Sequence, residues 1–479
     1  MNLDSLTQQI EALDGFVWQP FAMPLVLVLV GGLITLVTGF IQLRRFPLAA
    51  RTVFGGAFGK REAGTKKTIT PFQALSTALA ATVGNGNIGG VATAILLGGP
   101  GAIFWMWVTA TVGMATKYAE AVLGVHYRVT RESGELASGP MYYISRGLPN
   151  KAVGRVLAML FAFFGAAAAL IGTGNMAQSN TVARTAVEAF RTIGGIDVPL
   201  WVPGIVITVL VGLVLIGGLK RIAQTAEAIV PTMILIYVAA AVIYIAINIT
   251  QVPAVFALIL ENAFSPAAAL GGFAGATVAD AIARGVSRGV LSNEAGLGSA
   301  PIAHGVADVR HPVQQGMVGV FEVFIDTILV CSMTAFIILS SGLWTDPSYQ
   351  KASGDLTAAA MSTTIPFASA IVALSSFLFG FSTLIGWYYY GEKCFEYLFG
   401  SGVIMLYRLT FVVLIFVGAV IEVRLAWAIG TLLNGFMAFP NLVGLAFLLP
   451  MVRRLTIDYF NRGGRELSVE HPTTGARVA

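Results

Sequence analysis

The sequence predicts an all-α integral membrane protein that crosses the bilayer eleven times, and three observations carry that expectation. Of the 479 residues, 56% are apolar and only 11% charged, whereas a soluble domain carries roughly 25% charged residues. The mean hydropathy is +0.79. Apolar stretches of about 20 residues, the length that spans a hydrocarbon core as a helix, recur between short polar loops. A water-facing surface cannot be built from so few charges, which argues against a soluble enzyme. Fifty-four glycines suit membrane helices, where small residues let backbones approach closely.

The qualifying segments lie at 21–43, 71–98, 101–127, 156–186, 199–218, 222–248, 276–308, 313–341, 362–390, 403–421 and 426–452. Glycine and proline punctuate the connections, as in the run Gly98 to Gly101 and at Pro149-Asn150. The N-terminus has acidic residues and no Lys or Arg, so it lacks the basic start of a cleaved signal peptide and the first segment is expected to be retained. Cys331 and Cys394 fall in or beside separate segments, without disulfide or metal-ligand spacing.

Basic residues accumulate on the cytoplasmic side of membrane proteins. Here the loop after segment one holds Arg44, Arg45, Arg51, Lys60, Arg61, Lys66 and Lys67. The loop after segment three holds Arg128, Arg131, Arg146, Lys151 and Arg155, and the C-terminal tail holds Arg453, Arg454, Arg462, Arg465 and Arg477. Lys220, Arg221, Arg310, Lys393 and Arg408 fall on that same side, and only Arg191, Lys351 and Arg424 sit clearly on the other. The expectation is an inner-membrane protein with its N-terminus outside and its C-terminus in the cytoplasm. The same asymmetry accounts for the net charge of +5 and argues against a nucleic-acid partner.

Setting the first segment aside leaves ten, which divide into two sets of five. An odd number per half inverts the second half, and the first segment of each half is interrupted by glycine-rich polar sequence. The expected organisation is an extra N-terminal helix and basic loop (1–70), a first five-helix repeat (71–250), a second, inverted repeat (251–455) and a tail (456–479). Transporters with inverted repeats place substrate and ion sites near the midplane, at such broken helices.

The first interruption is Val83-Gly84-Asn85-Gly86-Asn87. Glycine costs roughly 1 kcal/mol relative to alanine in a helix interior, and polar amides in lipid cost more. If the chain is unwound here, free N–H groups can hold a carboxylate, while free carbonyls and the Asn87 amide can coordinate sodium. Close helix packing is the plainer reading, but it needs the glycines and not the two asparagines.

The second interruption lies within Ala283 to Pro301. Asp280 and Arg284, spaced i, i+4, can neutralise each other, and Glu294 reads as a capping carboxylate near the start of a short helix, with Ser292 and Asn293 as caps. Asp280, Arg284, Asn293 and Glu294 are thus structural or gating candidates, and Ser287 in the same stretch joins the substrate candidates. Gly271, Gly272 and Gly275 offer an alternative position for this break.

In segment nine Ser382 and Thr383 are adjacent hydroxyls suited to a hard cation, with Trp387 one turn beyond Thr383. The plainer reading has each hydroxyl bond back to a carbonyl of its own helix. In segment four Asn175 and Gln178 can reach an ammonium group or act as interhelical glue. Lys117, Glu120, Glu322 and Asp326 read as interior pairs or a proton path. His126, His304 and His311 fall near expected helix ends.

At these residues the sequence resembles the alanine or glycine:cation symporter family. The signatures are Gly84 to Asn87, Ala115 to Glu120, Gly139 to Tyr143, Gly174-Asn175-Met176 with Gln178, and Ser292 to Ser299. The resemblance implies the five-plus-five inverted-repeat fold of the neurotransmitter:sodium symporters with one extra N-terminal helix, a small amino acid and Na+ as ligands, and no organic cofactor. It further implies that the amides of Asn85 and Gly86 at the Gly84 break meet the substrate carboxylate. The carbonyls of Ala80 and Val83 would join Ser382 and Thr383 at sodium, and Trp387 would limit the substrate to the size of alanine, glycine or serine. Asn85 departs from the threonine more usual there, which bears on pocket polarity. A channel, a membrane-embedded enzyme and a proton-coupled carrier of the same fold are the competing expectations.

Overall fold

The computed structural model describes residues 3–58, 69–131, 134–264, 277–349, 353–421 and 423–463. Lys60, Arg61, Lys66, Lys67, Gly271, Gly272, Gly275, Lys351, Arg465 and Arg477 lie outside them. Between the N-terminus and the middle of the chain run α1 (Leu3–Val17), α2 (Met23–Val37), α3 (Ile41–Arg44), α4 (Phe46–Phe58), α5 (Pro71–Thr82), α6 (Val91–Gly98), α7 (Ala102–His126), α8 (Pro140–Gly147), α9 (Lys151–Ile171), α10 (Met176–Gly194), α11 (Trp201–Leu215) and α12 (Gly218–Ile247). Then follow α13 (Val252–Phe264), α14 (Val278–Asn293), α15 (Pro301–His304), α16 (Pro312–Val323), α17 (Ser332–Ser341), α18 (Ser353–Ser362), α19 (Ala368–Phe399), α20 (Ile404–Val420) and α21 (Val423–Asn461). A two-residue strand pair, Val129–Thr130 with Leu136–Ala137, closes the turn after α7.

Helix starts follow local chemistry. Thr70 and Gln73 close a capping box ahead of Pro71, and His311 and Gln314 do the same ahead of Pro312. In each, two orphan N–H groups find side-chain acceptors, and proline occupies the first helical position, where no donor is needed. Thr277 and Asp280 cap α14 in the same way. Asp280 is therefore engaged with Thr277, at 2.9 and 2.7 Å, and not, as expected, with Arg284.

Six of the described helical stretches are long and apolar enough to cross a membrane, or seven when the bent pair at 71–98 counts as one span. The other expected spans are helical but shorter or more polar: α2 and α11 have 15 residues each, and α7 carries Lys117 and Glu120 in its middle. The apolar helix α13 had no counterpart among the expected segments. The expected continuous segment at 156–186 is two helices, α9 and α10, interrupted at Gly172 to Asn175. There the backbone runs against α21: a Cβ on Gly172 would lie 2.7 Å from the Cα of Gly430.

The bundle exposes large apolar side chains and, within a mostly apolar core, buries charged ones. Leu36, Ile216 and Leu235 stand more than 60% exposed, whereas Lys117, Glu120, Glu322, Asp326 and His304 are fully buried. That inversion is what a lipid solvent selects. Helix α7 sits at the centre, packed on α14 and α16, and α19 packs on α9, α10 and α12.

The α7 to α14 contact depends on glycine. A Cβ on Gly285 would lie 2.3 Å from the carbonyl oxygen of Ala102, so Gly285→Ala must push two backbones apart, at a cost of about 1–3 kcal/mol. Gly32 has nothing within 4 Å of its Cβ position. Thermal melting of the purified protein is expected to fall by several degrees for G285A and to stay level for G32A; equal melting of both would contradict this packing.

Candidate functional site

Helix α5 ends at Thr82, and the axis turns by 52° before Gly86–Gly98. The N–H of Val83 still bonds back to Leu79. The next N–H, of Gly84, would in a continuing helix donate to Ala80 and instead donates to Oδ1 of Asn87 at 2.8 Å. The Asn87 N–H returns to the Gly84 carbonyl at 3.0 Å. Among the described residues the carbonyls of Ala80, Ala81 and Val83 then accept no hydrogen bond, and the Asn85 N–H donates none. Free peptide groups of both signs are thus created within two turns. Beyond them the chain resumes as a π-helical turn, Gly86–Gly90.

Asn87 also holds the break to the far side of the bundle. Its Nδ2 donates to Asp326, 2.7 Å to Oδ1 and 3.1 Å to the main-chain oxygen, and lies 3.3 Å from Cys331 Sγ. Asp326 lies in a second π-helical stretch, Phe324–Cys331, and accepts further bonds from Ser292 (2.9 Å) and Thr327 (2.6 Å). Asn293 donates to Thr327 at 3.0 Å and caps the Ala295 N–H at 2.9 Å. Both interrupted helices are therefore tied to one buried carboxylate, which has no ion-pair partner among the described residues.

The opposite wall is α19. A Cβ on Gly84 would lie 2.5 Å from Thr383 Oγ1, and one on Gly386 would lie 2.9 Å from Ala81, so glycine at both positions lets α19 lie against the broken helix. Ser382 and Thr383 each bond back to Phe379 at 2.9 Å, and Ser382 also approaches Met233 Sδ at 3.4 Å. The cation candidates thus divide into two places. Ala80, Val83, Ser382 and Thr383 belong to the α5–α19 side, and Asn87 belongs with Asp326.

A cavity of about 870 Å³ reaches the break and is lined by Gly84, Asn85, Gly86, Gln178, Thr383 and Trp387, together with Arg288 and Glu294. Asn85 donates to Gln178 at 3.1 Å and accepts from Ser376 at 2.5 Å. Other expected site residues lie off the cavity. Asn175 is buried and donates to the Phe411 carbonyl at 3.0 Å, as interhelical glue. Ser287 bonds to the carbonyl of Arg284 on its own helix at 3.4 Å.

Glu294 lies furthest from its expected place. It does not open a short helix; it closes α14 in the left-handed conformation, at φ 57°, and its carboxylate accepts from Trp387 Nε1 at 2.7 Å and from Ser299 Oγ. The break itself spans 294–300, before α15. Glu120 receives the amides of Gly296 and Gly298, both at 3.1 Å, and Asn441 at 2.7 Å, so this unwound turn is held by a neighbouring carboxylate. Lys117 pairs with Glu322 at 3.3 Å, and Glu322 also meets His304 at 2.6 Å. His304 is thus the last residue of α15, as expected, and is at the same time a buried member of this network.

A profile described as the sodium:alanine symporter family matches residues 3–471. The chain is 46% identical over 441 residues to the sodium/alanine symporter AgcS of Methanococcus maripaludis, covering 92% of this chain and 94% of that one. It is 45% identical over 464 residues to an uncharacterized transporter of Haemophilus influenzae, with 96% and 97% covered. Among solved structures, MhsT in complex with L-phenylalanine matches with a TM-score of 0.55 at 13% identity, covering 82% of this chain and 99% of that one, a likeness of fold alone.

Asn87→Ala removes the acceptor for the Gly84 N–H and a donor to buried Asp326. The expected loss is roughly 2–4 kcal/mol, read as a drop in melting temperature. Unaltered melting would show that the break does not depend on this side chain.

Proposed function

The chain belongs to the sodium:alanine symporter family, and from that premise we propose that it carries small neutral amino acids, alanine and glycine, into the cell together with sodium. The observation that supports this most is the set of unpaired peptide groups at residues 80–85, beside Thr383 at the floor of a cavity. A zwitterion needs donors for its carboxylate, and a bare cation needs oxygens to replace its hydration shell. The Asn85 and Gly86 amides serve the first need, with Gln178 close enough to meet the polar end of the ligand. Ala80 and Val83 carbonyls with the Ser382 and Thr383 hydroxyls serve the second. Asp326, with Asn87 and Ser292, is a second place where a cation would offset buried negative charge.

In this reading the chain is a carrier and not an enzyme. Ten of its eleven spans divide into inverted halves, 71–250 and 251–455, around the two breaks, the first span is an extra N-terminal helix, and the N-terminus lies outside and the C-terminus in the cytoplasm. Asn85 is tied to α10 through Gln178 and to α19 through Ser376, so rearrangement of these bonds accompanies closure over the ligand. Sodium and alanine favour the same closed state, and each therefore raises affinity for the other.

Purified protein in liposomes is expected to accumulate labelled alanine under an inward sodium gradient. Uptake indifferent to sodium and driven by a proton gradient would overturn sodium coupling, and solute-independent current would indicate a channel. Thr383→Ala is expected to raise the half-saturating sodium concentration about tenfold, equivalent to about 1.4 kcal/mol of lost cation binding. An unchanged sodium requirement would remove Thr383 from the cation site.

A further inference from the structure

We propose that Glu294 sets the upper size of the transported side chain by holding the Trp387 indole across the cavity floor, an inference that rests on the symport reading above. Three features meet at this ring. Its N–H donates to Glu294 Oε1 at 2.7 Å. One face is pressed on the backbone of Gly174, where a Cβ would lie 2.7 Å from the ring atoms Cδ2 and Cε3. Tyr390 meets it edge to face, with centroids 6.0 Å apart. A buried indole N–H needs an acceptor, and here that acceptor comes from the loop that ends α14, 93 residues away in sequence.

Glu294 is itself fixed for this task. It is 2% exposed, sits in a left-handed conformation that non-glycine residues rarely adopt, and anchors its N–H to Val290 at 2.8 Å. Such strain persists only where the surroundings over-determine it. Ser299 donates to its other oxygen. No cation lies within ion-pairing distance of Glu294 among the described residues, and the buried Lys117 is engaged with Glu322 at 3.3 Å. Its bonds go to the indole and to Ser299, and both Glu294 and Trp387 line the cavity. With its N–H released, the indole can turn about χ1 and χ2 and uncover space for a branched side chain. Glu294 is thus a positioning residue that acts through Trp387.

The test is competition by glycine, alanine, serine, valine and leucine against sodium-driven uptake of labelled alanine in liposomes. Wild type is expected to reject valine and leucine. Glu294→Ala is expected to lower the leucine-to-alanine ratio of half-inhibiting concentrations by about tenfold or more, the discrimination that one or two methylenes can carry in an apolar pocket. Glu294→Gln, which keeps an oxygen for the indole, is expected to keep the wild-type ratio. Melting temperature and sodium half-saturation are measured alongside, so that general loosening is recognised by their shift. Should E294A not fold, Glu294→Met fills the volume without accepting a hydrogen bond and is read the same way. Wild-type selectivity in a folded E294A or E294M protein would overturn the inference, as would an E294Q ratio shifted as far as that of E294A. Absence of sodium-driven alanine uptake in wild type would overturn the symport reading and the size limit with it.

Discussion

A peptide group in lipid must find its partner within the protein, because no water is there to replace it. The chain breaks helix α5 against that constraint, and the break is possible because the Asn87 side chain takes the Gly84 N–H and then anchors itself on Asp326. One side chain thus stands in for a turn of helix. The groups left over are carbonyls on the α5 side and an amide at Asn85, and of these residues Ala81 and Asn85 line the cavity, where a ligand can reach them.

The second interruption is held by a different device. The turn after α14 places the Gly296 and Gly298 amides on Glu120, and Asn441 completes the set. Here a buried carboxylate does inside the bundle what water would do at its surface. Nearby, Lys117, Glu322 and His304 form a closed network with Gln315, which bonds the other ring nitrogen of His304 at 2.7 Å. Four buried carboxylates, Glu120, Glu294, Glu322 and Asp326, face one buried lysine in this region. A region so rich in carboxylate oxygens offers hard ligands to a cation, which agrees with a carrier that couples amino-acid movement to sodium.

Much of this architecture was legible in the sequence, and the reason is physical. Polar amides and glycines at the centre of an apolar segment cannot be placed comfortably in a continuous lipid-facing helix, so Gly84 to Asn87 announced the first break. What escaped depends on partners distant in the chain. Asp326 finds Asn87 239 positions away, the α9–α10 interruption answers to Gly430 on α21, and Glu294 earns its place through Trp387. Asn175 and Ser287 looked like ligands for the opposite reason: composition shows that a polar group must be satisfied, but not whether a ligand, a neighbouring helix as for Asn175, or the residue's own helix as for Ser287 satisfies it. His304 does end a helix, but its pairing with Glu322 depends on a helix that begins eight residues later and was not visible locally.

The central claim is that main-chain groups at the α5 break are left free for a ligand, and hydrogen–deuterium exchange resolved to single amides across residues 82–90 measures this directly. The Asn85 amide is expected to exchange fast in the unliganded protein and to slow strongly when alanine and sodium are both present, while neighbouring amides in α5 stay protected throughout. An Asn85 amide already as protected as those of Leu79 or Val83, and unaffected by either ligand, would contradict it.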